Sequence, residues 1–342
     1  MVVPAVNTPP SITQPGDRIL VTRFKSIGDI LFTLPAVHAL REQFPGRKIS
    51  YLTSREFAPI LAGFRDVDEV LTIDRAGLRR GNPFVAARQI WTLVALLRKR
   101  KFSLVVDLQG YGETALLTWL TRATHRWGTV YQSMRGYAYT RGVRRDPNIH
   151  PAEGNLLLLQ ECGLAPGTVR NEFVLPDEAA AAARDLFGQL RLDAARPVLF
   201  IQPFTSSPHK NWPLENYLAL ARHWQKAGRP VLFGGSPAER ARLEPVSAAG
   251  FSVAAGAPLL VSAGLAKLSR VIVGGDTGLL HIAAAMNKRV VMLAAPSRFP
   301  NRFYPFGHRD WKIESPPGAE ISGITVQQVI AACETALAET AP

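Results

Sequence analysis

The segment Val271 to Met292 carries polar residues whose types and spacing could bind an anion. An apolar strand runs into a Gly-Gly-Asp-Thr-Gly turn, which opens a helix. Asp276 or Thr277 can cap that helix, while Gly278 lets a ligand approach its first turn. The free N–H groups and the helix dipole then favour a negative charge. His281, four residues after Thr277, shares this face, although an ordinary capped helix with a half-buried histidine is the alternative.

A second candidate loop follows the first strand, Arg18 to Thr22. Asp29 stands where that strand turns into a helix, and its carboxylate could act as a general base. Lys25 or Arg23 could hold an anion beside it, and Gly28 precedes the carboxylate directly. The alternative makes Asp29 simply the cap of the following helix. The loop lacks the G-x-x-x-x-G-K-[ST] pattern, so it is not a P-loop.

The third candidate loop spans residues 202–213 and reads QPFTSSPHKNWP. The hydroxyl groups of Thr205 and Ser206 and the ammonium group of Lys210 are suited to a diphosphate. A polar surface loop with an unrelated lysine is the alternative. A carboxylate combined with two anion-binding loops fits group transfer from an activated phosphate ester.

Strands alternate with helices in two successive blocks, a pattern typical of parallel sheets. The blocks, residues 18–170 and 177–342, are joined by a Pro- and Gly-containing stretch, Gly163 to Pro176. We therefore expect an α/β protein with two doubly wound sheets, whose strand ends face a central cleft. Residues 1–17 are rich in proline and lack a basic start, which predicts a disordered extension rather than a signal peptide.

Three local expectations follow from the apolar patterns. One continuous helix is expected over residues 30–44, and a loop of little regular structure over residues 127–145. A long amphipathic helix is expected over residues 83–101, with Phe84, Ala87, Trp91, Val94 and Leu97 on one side. Whether that side lies in the core or on the surface is left open.

Several other chemistries lack their sequence signals. The two cysteines, Cys162 and Cys333, form no pairing motif, and the seven histidines never occur at i,i+4 spacing, so neither a disulfide framework nor a metal site is expected. No cofactor is expected either. Residues 110–115 fit the dinucleotide pattern G-x-G-x-x-A, but they follow the fourth strand and no acidic residue stands about 20 positions on.

The net charge of +13 is concentrated in the first half, where residues 1–170 contribute +10 and residues 171–342 contribute +3. A basic field of this kind attracts phosphate groups on nucleic acids, anionic lipids or phosphorylated glycans. No apolar run reaches the ~18 residues that a membrane span requires. Charge alone does not choose among these partners.

The three loops together carry a family resemblance. The stretches RFKSIGDILFTLPAVHALREQFP, FTSSPHKNWPLENY and GGDTGLLHIAAAMNKRVVML resemble, in order and spacing, the signature regions of family 9 glycosyltransferases, the lipopolysaccharide heptosyltransferases. The likeness runs from about Arg18 to Ala338. It implies a GT-B fold, with the acceptor in the N-terminal domain and the sugar nucleotide in the C-terminal domain. It also implies an inverting, metal-independent transfer.

The resemblance assigns roles to individual residues. Asp29 matches the catalytic base, and Lys210 assists departure of the diphosphate. The donor site is implied to contain Thr205, Ser206, Lys210, Asp276, Thr277, Gly278 and His281. From the loop itself, rather than from the resemblance, we expect Arg23, Lys25 and Gly28 to bind the acceptor. Two departures near the expected donor pocket leave the sugar nucleotide open: Ala295-Pro296-Ser297 replaces the usual Gly-Pro-Thr, and residues 298–307 lack the usual spacing.

These observations lead to the hypothesis that heptose moves from ADP-heptose to the lipid A-Kdo acceptor of the lipopolysaccharide inner core. We expect a cytoplasmic protein, with peripheral contact at the inner membrane left open, and no nucleic-acid partner. One alternative is the same fold with another nucleotide sugar or glycan acceptor. Another, of a different class, is a non-catalytic protein that binds nucleotides or nucleic acid.

Overall fold

The structure, a computed structural model, describes residues 18–165, 167–297, 299 and 302–340. The chain divides into two compact units, with the boundary between Asn171 and Glu172. That boundary lies inside the Pro- and Gly-containing stretch at 163–176. The expected disordered extension, residues 1–17, lies outside the described residues.

The described part of the first unit is a six-stranded parallel sheet with helices between its strands. The strands are β1 (Arg18–Thr22), β2 (Lys48–Ser54), β3 (Glu69–Ile73), β4 (Phe102–Asp107), β5 (His125–Val130) and β6 (Arg141–Arg144). The helices are α1 (Ile27–Leu31), α2 (Leu34–Gln43), α3 (Arg75–Arg80), α4 (Pro83–Lys99), α5 (Gly112–Leu120) and α6 (Pro151–Glu161), with 3-10 helices at Arg55–Gly63 and Ser133–Ala138.

The described part of the second unit repeats this architecture. Its strands are β7 (Leu199–Gln202), β8 (Val231–Gly235), β9 (Ser252–Ala255), β10 (Val271–Gly275), β11 (Val290–Ala294) and β12 (Lys312–Glu314). Its helices are α7 (Asp177–Gln189), α8 (Leu214–Lys226), α9 (Glu244–Ala248), α10 (Leu259–Leu268), α11 (Gly278–Ala285) and α12 (Val326–Glu339), with short 3-10 helices at Pro208–Lys210, Pro237–Glu239, Ala241–Leu243, Arg309–Trp311 and Ile321–Gly323. The expectation of two doubly wound parallel sheets is therefore confirmed.

The strand order places one reversal of winding in each sheet. The first sheet runs β3-β2-β1-β4-β5-β6, and the second runs β12-β11-β10-β7-β8-β9. Connections from β1 lead outward in one direction and those from β4 in the other, so the loops after β1 and β4 diverge. The same holds for β7 and β10. Open parallel sheets bind ligands at the carboxyl ends of such strand pairs.

The buried strands and their crossover helices form the core of the first unit. Leu20 of β1 and Val105 of β4 pack in one apolar cluster with Leu93, Leu97 and Leu117 of α4 and α5. Burying a leucine side chain contributes roughly 1.5–3 kcal/mol to folding. Since α4 and α5 share this cluster, both helices cover the same face of the sheet.

The single helix expected over residues 30–44 is wrong, because the structure contains α1 and α2 with a break between them. Pro35 occupies the first turn of α2. Proline has no N–H to donate and is tolerated in that turn, whereas inside a continuous helix it would remove a hydrogen bond. The break therefore falls just before the proline.

The irregular loop expected over residues 127–145 is also wrong, because β5 and β6 lie there. Glycines in both strands obscured the strand pattern, since glycine is normally depleted in strands. A Cβ atom added at Gly128 would lie 2.1 Å from the Tyr139 ring, and one at Gly142 would lie 2.8 Å from Val130. Gly128 is required because the Tyr139 ring packs directly on its backbone, and Gly142 because the Val130 side chain does so.

The structure shows which apolar residues of the long helix reach the core. Phe84 and Trp91 of α4 are 85% and 70% exposed, respectively. The helix is anchored instead by Leu93, Val94 and Leu97 in its second half. The apolar pattern identified the helix but not which of its apolar residues reach the core.

Gly110 explains the dinucleotide-like pattern at 110–115 without a ligand. Its φ angle is +70°, and an added Cβ atom would lie 2.0 Å from the backbone oxygen of Thr129. The glycine lets the loop after β4 pass beneath β5 in a left-handed conformation. Gly112, at the start of α5, has no atom within 4 Å of the corresponding Cβ position.

We expect Gly110→Ala to lower the free energy of unfolding by roughly 2 kcal/mol or more, because it adds both a clash and a strained φ angle. Gly112→Ala is the matched control and should remain within about 1 kcal/mol of the wild type. Urea unfolding of the three proteins measures the difference. Equal stability of the two variants would contradict this account of Gly110.

Candidate functional sites at the two strand reversals

The loop after β1 brings Asp29 against a buried arginine. Asp29 lies in the first turn of α1, where its carboxylate accepts hydrogen bonds from the backbone N–H and hydroxyl of Ser26, both at 3.3 Å. The Nη2 atom of Arg23 lies 2.8 Å from the same carboxylate oxygen. The N-cap residue of α1 is Ser26, and Asp29, the third residue of the helix, bonds back to it and remains 35% exposed. The alternative that Asp29 is itself the cap residue is therefore wrong. Bonding to Ser26 and a chemical role are compatible here.

Arg23 is fixed on three sides. Besides Asp29, its guanidinium donates to the carbonyl oxygens of Lys25 at 3.0 Å and of Leu108 at 2.5 Å. Burial lowers the pKa of Arg23, but the charge and hydrogen bond of Asp29, together with Tyr131 and Tyr51, outweigh burial and the pKa is raised. The side chain therefore presents a permanent positive charge to the carboxylate. Its donors serve to position Asp29 and to join the loops after β1 and β4.

The loop after β4 supports this arrangement from the other side. Gln109 accepts a 2.6 Å hydrogen bond from the backbone N–H of Phe24. Asp107 accepts hydrogen bonds from the N–H groups of Gln109 and Gly110, both at 2.9 Å, and from the hydroxyl of Tyr139 at 2.8 Å. Burial raises the pKa of Asp107 despite these bonds. Sequence reasoning missed both residues, although their position just after a buried strand was a usable signal.

Lys25 lies beside an aromatic pair. Its Nζ atom is 6.0 Å from the centroid of the Tyr111 ring, which meets the Tyr131 ring edge-on at 5.5 Å. The guanidinium of Arg145 lies 4.6 Å from the Tyr131 centroid. Tyr131 and Arg145 were not predicted, because they fall in the segment taken for an irregular loop. These cations add positive charge to the carboxyl edge of the first sheet.

In the second unit, the loops after β7 and β10 meet at one carboxylate. Asp276 follows β10, and its two oxygens lie 3.3 Å from Nζ of Lys210 and 3.0 Å from Nε2 of His281. Lys210 comes from the loop after β7, while His281 lies in the first turns of α11. Three residues predicted from two separate motifs are thus brought together.

The electrostatics of this cluster favour the charged carboxylate. Burial raises the pKa of Asp276, but the hydrogen bond and charge of His281 and the charge of Lys210 outweigh it and lower the pKa to about 2. Lys210 also lies 5.2 Å from the Phe303 ring centroid, a contact that sequence reasoning missed. The lysine side chain is 39% exposed, so it can move toward an incoming anion.

Backbone contacts hold the two loops close together. A Cβ atom at Gly275 would lie 2.6 Å from the Thr205 methyl group and 3.3 Å from the Lys210 carbonyl oxygen, so only glycine permits this approach. The Thr205 hydroxyl donates to the Ser207 carbonyl at 2.9 Å, which shapes the loop, while Ser206 is exposed.

The start of α11 leaves polar groups available. Thr277 occupies the N-cap position with extended backbone angles, but its side chain makes no capping hydrogen bond. Its hydroxyl oxygen is buried and has no hydrogen-bond partner among the described residues. Buried polar groups are normally paired. An unpaired hydroxyl beside free helix N–H groups, next to Lys210 and Asp276, fits an anion-binding site.

In the part of the chain that the structure describes, no three His, Cys, Asp or Glu side chains lie where they could hold a metal ion. None of the described helices is long and apolar enough to cross a bilayer. Metal independence and the absence of a cofactor stay predictions.

Known proteins share this architecture. The model of glycosyltransferase family 9 (heptosyltransferase) matches residues 90–321. Lipopolysaccharide heptosyltransferase 1 of Escherichia coli is 25% identical over 326 residues, covering 91% of this chain and 95% of the relative. The corresponding protein of Pseudomonas aeruginosa is 28% identical over 289 residues, covering 82% and 79%, respectively.

Solved structures agree with the sequence comparison. A family 9 glycosyltransferase from Veillonella parvula superposes with a TM-score of 0.86 at 21% identity, covering 96% of this chain and 99% of that one. An E. coli heptosyltransferase solved with ADP gives a TM-score of 0.74 at 22% identity, covering 93% and 99%.

The two Rossmann-like sheets and these structural relatives define the GT-B fold class. The family match, which spans more than half of the sequence, makes the assignment more specific. The chain belongs to glycosyltransferase family 9, the heptosyltransferase family.

The lowered pKa of Asp276 makes a testable prediction about acid stability. The carboxylate is stabilised in the folded state, so its contribution is complete above the unfolded pKa of about 3.9 and disappears as the pH falls through about 2. At pH 6, Asp276→Asn should therefore be less stable than the wild type by on the order of 2 kcal/mol.

Urea unfolding from pH 6 down to pH 2.5 measures this difference. The gap between wild type and Asp276→Asn should narrow below about pH 4. Asp185→Asn, which alters an exposed carboxylate on α7, is the control and should show little difference at any pH. A gap of constant size across the range would show that the charge of Asp276 is not what stabilises the site.

Proposed function

We propose that this enzyme transfers heptose from ADP-heptose to the lipid A-Kdo region of the lipopolysaccharide inner core, with inversion and without a metal ion. The observation that carries the proposal is the cluster of Lys210, Asp276 and His281 at the reversal between β7 and β10. Relatives support the chemistry: E. coli heptosyltransferase structures are described with ADP and with ADP-2-deoxy-2-fluoro heptose.

In this proposal the second unit binds the donor. Lys210 leaves Asp276 and moves to the diphosphate, because two phosphate charges attract the ammonium more strongly than one carboxylate does. Asp276 then has one oxygen free for the hydroxyl groups of the donor sugar, while His281 continues to hold the other. Ser206, the Thr277 hydroxyl and the N–H groups beginning at Gly278 complete the anion site, with Thr205 shaping the loop.

The first unit binds the acceptor and supplies the base. Asp29 removes the proton from the acceptor hydroxyl as that oxygen attacks the anomeric carbon, and the bond to the diphosphate breaks in the same step. Lys210 and the helix N-terminus stabilise the charge that develops on the departing ADP. Arg23 holds the Asp29 carboxylate in place, whereas Lys25 contacts acceptor phosphate groups and Gly28 leaves room beside the base.

The proposal places the protein on the cytoplasmic side of the inner membrane, where a membrane-embedded glycolipid would meet a nucleotide sugar. The alternative within the family is another nucleotide sugar or glycan acceptor. It has to be tested because residues 295–307 differ from the usual family sequence near the expected donor pocket. The alternative of another class is a non-catalytic nucleotide or nucleic-acid binding protein. It predicts oligonucleotide binding with a steep salt dependence and no response to nucleotide sugars.

The nature of the donor is tested by thermal stability in the presence of ADP, UDP, GDP, CDP and NAD, with and without magnesium. A ligand at 100 times its dissociation constant stabilises the native protein by roughly 2.7 kcal/mol. We expect a selective response to ADP that magnesium does not change. A preference for UDP or GDP would indicate that the donor carries a sugar other than heptose. No response to any nucleotide would favour the alternative of a non-catalytic binding protein.

The same assay tests Lys210. Lys210→Ala should weaken ADP binding and lower turnover, because the diphosphate loses its point charge. Lys226→Ala, an exposed lysine on α8, is the matched control and should leave both unchanged. Unchanged ADP affinity in Lys210→Ala would rule out the assigned contact.

Asp29→Asn separates catalysis from binding. Loss of a general base typically costs 10²–10⁴-fold in rate, so we expect turnover to fall by about this factor while ADP affinity stays near that of the wild type. The measurement is heptose transfer to a lipid A-Kdo acceptor, followed together with ADP binding. Asp185→Asn serves as the control, and near-normal turnover of Asp29→Asn would show that another group is the base.

A further inference from the structure

The first unit carries an exposed aromatic face that the donor and acceptor sites do not use. It comprises Phe84, Val85 and Trp91 of α4, Trp119 of α5, and Met134 and Tyr137 of the 3-10 helix at 133–138, all between 48% and 87% exposed. Single exposed apolar residues are ordinary, whereas a group of large ones indicates a binding surface.

These residues share one side of the unit. Helices α4 and α5 cover the same face of the sheet and contact each other, and α5 also contacts the 3-10 helix. The Trp119 and Tyr137 rings meet edge-on at 6.3 Å, and the Nε atom of Arg98 donates to the Leu120 carbonyl at 2.8 Å, which ties the end of α4 to the end of α5. Trp119 and Tyr137 therefore contact each other, and α4, which carries Phe84 and Trp91, lies beside α5 on the same face of the sheet.

The first half of α4 buries almost nothing within the unit. Of residues 83–92, nine are exposed and one, Ala86, is intermediate. Helices in proteins owe most of their stability to the packing of an apolar face. A helix that projects Phe84 and Trp91 outward therefore needs a partner for that face.

The charge pattern identifies the kind of partner. Residues 75–106 contain eight Arg and Lys and no Asp or Glu, although Arg75 and Arg100 pair with Glu113 and Glu69. Residues 114–145 contain six Arg and again no acidic residue. Arg88 and Lys99 are exposed on α4 itself. Aromatic side chains at the level of lipid head groups, surrounded by cations, are the combination that binds an anionic bilayer.

We propose that the aromatic face docks this protein on the surface of an anionic lipid bilayer. Phe84 and Trp91 enter the head-group region, while Arg88 and Lys99 contact lipid phosphates. The inference goes beyond the proposed function, because docking needs neither a nucleotide sugar nor a glycan acceptor and would hold for any substrate.

The test is co-sedimentation of the full-length protein with vesicles. One set contains 30% phosphatidylglycerol in phosphatidylcholine, and the other contains phosphatidylcholine alone. We expect the wild type to bind the anionic vesicles and to lose affinity as salt is raised. Phe84→Ser/Trp91→Ser should reduce the partition coefficient at least about tenfold, because two large apolar side chains no longer enter the bilayer.

A second double variant tests the contribution of the positive charges. Arg88→Gln/Lys99→Gln should reduce the partition coefficient onto anionic vesicles about tenfold, because two basic side chains no longer interact with lipid phosphates. Arg222→Gln/Lys226→Gln, which removes two exposed charges from α8 of the second unit, is the matched control and should bind as the wild type does. Unchanged thermal stability and ADP binding of every variant would show that folding and the donor site are intact.

Two results would overturn the proposal. One is failure of the wild type to bind anionic vesicles, or equal binding by Phe84→Ser/Trp91→Ser. The other is a lipid-free dimer in sedimentation velocity that the same double variant abolishes while vesicle binding is weak or absent, because the face would then pair two copies of this chain. Loss of ADP binding or turnover, by contrast, would bear on the proposed function only.

Discussion

The reversal of winding in each sheet is the constraint on which both sites depend. Where connections from two neighbouring parallel strands lead in opposite directions, their loops separate and leave backbone groups uncovered at the carboxyl edge. The first sheet has this reversal between β1 and β4, and the second has it between β10 and β7. Asp29 follows one of these strands and Asp276 another, so both carboxylates occupy positions that the topology exposes to ligands.

A carboxylate at such an edge must be compensated, and the two units do so differently. Asp29 faces an arginine whose remaining donors are committed to backbone carbonyls, so that cation is fixed. Asp276 faces a lysine held by one ion pair at 3.3 Å and by the Phe303 ring, and that lysine is substantially exposed, so the cation can leave. Arginine suits the first task because its planar group makes several bonds at once, and lysine suits the second because its charge sits on a flexible stem. A fixed partner orients a base, whereas a mobile partner is what a transient diphosphate requires.

The sequence predicts the features that depend on neighbouring residues along the chain, and it fails for those that depend on residues far apart in the sequence. The loops at Asp29, Lys210 and Asp276 were predictable, because strand, turn glycine and helix follow one another locally. The position of Arg23 was not, since its guanidinium is held by the carbonyl of Leu108, 85 residues away. Strands β5 and β6 were missed because glycine is locally a turn signal, whereas Gly128 makes room for Tyr139 and Gly142 for Val130, contacts that form only in the folded sheet. The outward direction of Phe84 and Trp91 likewise depends on which helix faces meet the sheet.

The aromatic face and the Asp29 loop are related through the first sheet. A cavity of about 460 Å³ is lined by Ile73 and Asp74 at the end of β3 and by Val85 and Gln89 of α4, so the exposed half of α4 lies beside the carboxyl end of that strand. Asp29 follows β1, two strands away along the same edge of a parallel sheet. A bilayer held by Phe84 and Trp91 would therefore lie near the edge that carries the proposed base. An acceptor anchored in lipid would then need to expose only its sugar, and the cost of extracting its acyl chains from the membrane would be avoided.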